Sequence, residues 1–101
     1  MLDRLTAAEF EPLLGVSFAA ELPHGVAALD LIEVTRLREP PACPGGPVRR
    51  HPFSLVFRAC AAGYLPQGTF VLTHDRLGRL DVFLVPVGRD ADGWLLEAVF
   101  N

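Results

Sequence analysis

The compact polar run His74-Asp75-Arg76 is the place in this chain where a base and an acid adjoin. General acid–base chemistry needs a carboxylate that reaches a ring nitrogen of the histidine. Neighbours at a strand end point to opposite faces, so adjacency alone does not let Asp75 orient His74. The expectation is a strand-end His74 and an Asp75 that bonds the backbone of its own turn. Ser54 lies inside an apolar run without the glycines that present a nucleophile on a sharp turn. Asp90-Ala91-Asp92-Gly93 begins like a calcium loop but lacks the later ligands of that pattern, and it reads as a hairpin turn. Cys43 and Cys60 are isolated thiols with no paired histidine spacing, which does not make a metal site. No catalytic, cofactor-binding or metal-ligating set emerges, and the chain is expected not to be an enzyme.

The elements that carry these residues are mostly β-strands. From Pro52 onward, four segments rich in β-branched and aromatic residues follow one another: Pro52–Arg58, Gly68–His74, Arg79–Val87 and Trp94–Phe100. Each is bounded by Gly, Pro or Asp clusters. The last of them runs to the chain end and is expected to leave no tail for a separate function. Within them Phe53, Leu55, Phe57, Phe70, Leu72, Leu80, Val82, Leu84, Trp94, Leu96, Ala98 and Phe100 alternate onto one face. Val16–Leu22 alternates in the same way. Val26–Leu37 is long, and its apolar set changes face midway, which places a β-bulge near Leu31-Ile32. Pro86 cannot donate to a ladder, so it marks an edge or a second bulge.

Thr6-Ala7-Ala8-Glu9 has the form of a capping box that opens a helix from Ala7 to Leu14, closed by Gly15 and limited by Pro12. Phe10, Leu13 and Leu14 would dock it on the sheet. Residues 39–50, with four prolines and two glycines, form a long loop. The expected fold is all-β: about six antiparallel strands in a meander, curled into a small barrel or folded as a two-layer sandwich, with one short N-terminal helix.

With 101 residues the chain is read as a single domain, residues 1–101. Half of its residues are apolar, which implies that nearly all strand faces are covered or that some surface is left for a partner. The net charge of −3, with every basic side chain an arginine, argues against nucleic acid. Arg49, Arg50 and His51 are too few to form a footprint for it. No segment has the form of a secretory signal or a membrane span, so the protein is expected in the cytoplasm with reduced thiols. A Cys43–Cys60 disulfide stays open as the alternative.

Two features suggest contacts with another protein. In Leu65-Pro66-Gln67-Gly68, Pro66 sets φ and Gly68 frees it, so Gln67 is presented from a defined turn. Its amide either caps that turn or meets a partner together with Arg58. The late strands are apolar on both faces, so Phe83, Val85 and Val99 must meet the helix, a loop or another chain. Candidate partner-binding residues are therefore Arg58, Gln67, Phe83 and Val85, for a dedicated protein partner or for self-association through free strand edges. The alternative is a barrel that carries a small apolar ligand, although about eight strands are normally needed to leave room for one.

Four stretches stand in a recognisable order: Pro52-Phe53-Ser54-Leu55-Val56-Phe57-Arg58, Leu65-Pro66-Gln67-Gly68-Thr69-Phe70, Asp81 through Gly88, and Glu97-Ala98-Val99-Phe100-Asn101. They resemble a family of uncharacterised bacterial domains of about this length, with patterns PFSLLFRGP, LPQGTY, LFLVPVG and YEAVFN. The chain departs from those patterns at Ala59-Cys60 and at Leu96. The resemblance covers nearly the whole chain. It implies no activity; it implies an accessory or assembly role beside phage-tail-collar-like appendage proteins.

Overall fold

The computed structural model describes residues 5–23, 25–37, 52–59 and 65–100. The expected 39–50 loop and both cysteines lie outside them. Six strands close into an antiparallel barrel: β1 (Ser17–Leu22), β2 (Gly25–Arg36), β3 (Phe53–Ala59), β4 (Gly68–His74), β5 (Gly78–Asp90) and β6 (Gly93–Phe100). Between the two architectures left open by the sequence, the barrel is the one formed. Its order around the wall is β1-β2-β3-β6-β5-β4. The meander is thus split into two three-stranded meanders, joined by β3 against β6 and by β1 against β4.

The interior is built from the alternation seen in the sequence. Phe18, Leu29, Leu31, Phe53, Phe57, Leu72, Leu84 and Leu96 are fully buried. Phe18 meets Phe57 edge to face at 5.4 Å between centroids.

Both long strands bend at a bulge. In β2 the register against β3 shifts between Leu31 and Glu33, as the change of apolar face implied. In β5 the register against β6 shifts between Pro86 and Gly88, so Pro86 sits beside a bulge whose extra residue is Val87. Each bend lets one strand serve two neighbours. The first part of β5 pairs with β4 and the last part with β6.

The helical segment is shorter and tighter than its pattern suggested. The α-helix α1 covers Ala7–Phe10 and runs into a 3₁₀ turn, Glu11–Leu13, with Pro12 inside it. The capping box does not form through side chains: Thr6 caps with its carbonyl, which accepts from the Glu9 amide at 3.0 Å. Phe10 and Leu13 are buried, but Leu14 is 48% exposed, because the 3₁₀ turn rotates it off the docking face. Gly15 then reverses the chain at φ +86°, and its amide donates to the Leu31 carbonyl at 2.7 Å. That reversal lays Phe10 over the barrel end, against Phe53 at 5.8 Å and Phe100 at 5.9 Å.

The halves are related by a local two-fold axis. Ala20 and Leu72 occupy the same place relative to their hairpins, facing Ala27 and Leu80 two residues in from the closing pairs Leu22·Gly25 and His74·Gly78. They also face each other across the β1–β4 seam. Phe57 and Leu96 likewise face the last residue before each bulge, Leu31 and Pro86, and they face each other between β3 and β6. Equivalent residues meet at both seams, which is what a two-fold requires.

Candidate functional site

The residues that suggested acid–base chemistry do not converge. His74 ends β4 and stacks on Phe18, with ring centroids 4.8 Å apart. Its Nδ1 accepts from the Arg76 amide at 3.0 Å and from the Leu77 amide at 3.4 Å. The side chain that bonds the turn backbone is therefore His74, not Asp75 as the sequence suggested; Asp75 is exposed on the turn. Asp90 closes the β5–β6 turn: its Oδ1 accepts from the amides of Asp92 at 2.9 Å and Gly93 at 3.1 Å. Among the described residues no three His, Cys, Asp or Glu side chains group as metal ligands, and no helix is long and apolar enough to cross a membrane.

Arg58 is drawn into the fold. It stands on β3, and its guanidinium donates to Asp90 Oδ2 from Nη2 at 2.7 Å and from Nε at 3.2 Å. The Arg58 hydrogen bond, with the Asp92 amide, holds the Asp90 carboxyl below the usual carboxylate range. Gln67 is exposed at the bend that enters β4. It is not brought together with Arg58, because β3 and β4 are not neighbours in the barrel. An open recess of about 310 Å³ lies outside the barrel, between the helical segment and the β4–β5 turn, lined by Ala8, Glu9, Pro12, Leu13, Arg76 and Leu77.

The outer face of β5 and β6 is where predicted residues do gather. Phe83 is 53% exposed opposite Thr69, and Val85 is half-buried opposite Glu97. Extending the β5–β6 register by two residues brings Val99, 52% exposed, across from Phe83. Val87, also 52% exposed, joins them on the same outward parity as Phe83 and Val85. The sequence signal for Val87 was its place two residues after Val85 in the same alternation.

The opposite half of the barrel shows what this position needs structurally. Counted from the hairpin, Phe83 corresponds to Asp30; counted from the bulge, Val85 does, because β5 is longer before its bulge (Gly78 to Pro86, against Gly25 to Leu31). Asp30 accepts a hydrogen bond from the Ser17 hydroxyl, its cross-strand neighbour. The barrel wall therefore tolerates a polar pair where the second half places an exposed phenylalanine.

No curated protein and no solved structure matches the chain. A family described as a domain of unknown function (DUF6916) matches residues 5–100, and the chain belongs to that family.

Proposed function

We propose that this DUF6916 domain is a non-catalytic interaction module that binds a dedicated protein partner through the outer face of β5 and β6, at Phe83, Val85, Val87 and Val99. One observation carries the reading: the position that a hydrogen-bonded, half-buried Asp30 fills in one half of the barrel is taken in the other by Phe83, which is exposed, or Val85, which is half-buried. The fold does not require them there, and a contiguous exposed apolar patch is a mark of a contact surface. Asp81 and Glu97 flank the patch, so the partner is expected to bring an apolar centre and a basic rim. The interior filled by Phe18, Phe53 and Phe57 favours this reading over carriage of a small ligand. The family resemblance gives the reading its setting: an accessory or assembly role in bacterial cytoplasm beside tail-collar-like appendage proteins.

The test is co-purification of a tagged chain from its native host, wild type against Phe83→Ser. A partner held by the wild type and lost from a folded Phe83→Ser supports the proposal. Equal recovery with both chains contradicts it.

A further inference from the structure

The open recess beside the helical segment belongs neither to the barrel interior nor to the outer face of β5 and β6. It holds about 310 Å³, at the low end of the range for small-molecule sites. Its apolar lining is Ala8, Pro12, Leu13 and Leu77, and Leu13 and Leu77 also pack on the barrel core. Its two charged residues come from opposite walls, Glu9 from α1 and Arg76 from the β4–β5 turn.

Both walls are fixed by main-chain bonds that leave these charged side chains uncommitted. The Glu9 amide donates to the Thr6 carbonyl at 3.0 Å, and the Arg76 amide donates to His74 Nδ1 at 3.0 Å. Other arginines are used within the fold: Arg36 pairs with Glu11, Arg58 pairs with Asp90, and Arg89 lies over Trp94. Among the described residues no side-chain partner stands with Glu9, Arg76 or Arg79, and of these two arginines it is Arg76 that lines the recess. The turn is also longer than closing a hairpin of this barrel demands. Three residues lie between His74 and Gly78, whereas two lie between Leu22 and Gly25 in the hairpin that the local two-fold relates to it.

We propose that this recess binds a small zwitterion with an apolar body, namely an α-amino acid with an aliphatic side chain. Its carboxylate meets the Arg76 guanidinium, its ammonium meets the Glu9 carboxylate, and its side chain lies on Pro12, Leu13 and Leu77. An apolar lining with a few placed polar groups is the composition of a ligand site. A plain anion would bring like charge to Glu9, and a plain cation would bring it to Arg76. The recess shares no residue with the face proposed for the protein partner, so failure of either reading leaves the other intact.

The experiment is titration of the full chain with L-leucine, followed by amide chemical shifts. Isocaproate and isoamylamine serve as probes that each lack one of the two charges. Leucine is expected to give saturable shifts at Ala8, Glu9, Arg76 and Leu77, with a Kd of about 1 mM or tighter. Both single-charge probes should bind at least about tenfold more weakly, and so should leucine to Arg76→Gln and to Glu9→Gln, which keep the main-chain bonds of their walls. Circular dichroism checks the fold of the variants, and the two probes decide on the wild type alone should either variant not fold. No saturable shift at these amides, a single-charge probe that binds as tightly as leucine, or unchanged affinity in both folded variants overturns the proposal.

Discussion

Phe53 and Phe100 stack face to face, with ring centroids 4.7 Å apart and planes 2° from parallel. They are also cross-strand partners, at the start of β3 and the end of β6. This stack is where the two meanders are joined beneath Phe10. Phe53→Ala should cost about 3–5 kcal/mol, the range for a phenylalanine removed from a packed core. Urea unfolding checks it; a loss below about 1 kcal/mol would mean that this seam does not hold the barrel together.

Phe83→Ser should behave oppositely. A half-exposed side chain on the outer wall contributes little to folding, so its loss should change stability by no more than about 0.5 kcal/mol. The same urea titration reads it. A large destabilisation would make Phe83 a packing residue and remove the basis for a contact role.

His74→Ala should loosen the β4–β5 turn, because the amides of Arg76 and Leu77 lose their shared acceptor and Phe18 loses a stacked ring. A cost of about 1–2 kcal/mol is expected from a neutral hydrogen bond and a ring contact. Asp75→Ala should cost less. The reverse ranking would reinstate the aspartate as the turn's anchor.

Acid should weaken the β5–β6 turn. Asp90 is held below the usual carboxylate range by the Arg58 side chain and the Asp92 amide. A depressed folded-state pKa gives stability that is present above the unfolded value, near 3.9, and is lost as pH falls through the folded pKa. Glu11 is depressed in the same direction by Arg36, on an exposed ion pair between the 3₁₀ turn and β2. The gap in melting temperature between wild type and Asp90→Asn should therefore be present at neutral pH and narrow below about pH 4. A gap independent of pH would rule out the Arg58–Asp90 pair as its source.

What the sequence showed and what it hid divide along physical lines. Side-chain alternation reports which face is buried, so Phe53, Leu55, Phe57, Leu80, Val82 and Leu84 were legible as core. The change of parity near Leu31 reported the bulge, because an extra residue inverts every later side chain. Alternation says nothing about neighbours, so the pairing of β3 with β6 and of β1 with β4 could not be read from it. The exposure of Phe83 was legible for the same reason as the core: it lies one step out of phase with Val82 and Leu84. The ion pair of Arg58 with Asp90 was not legible, because Asp90 lies 32 positions along the chain and is reached only through the barrel closure. The capping box failed locally, since the Thr6 carbonyl bonds the Glu9 amide and no side-chain cap forms.

The most direct test of the interaction reading is site-specific photocrosslinking in native host cells, with a photoreactive phenylalanine analogue placed at Phe83 or at Val26. Val26 is the more exposed of the two, at 70%, but lies on the half of the barrel without the apolar patch. The account predicts a discrete adduct to one protein from position 83 and none from position 26; matching adduct patterns, or none from either, would contradict it.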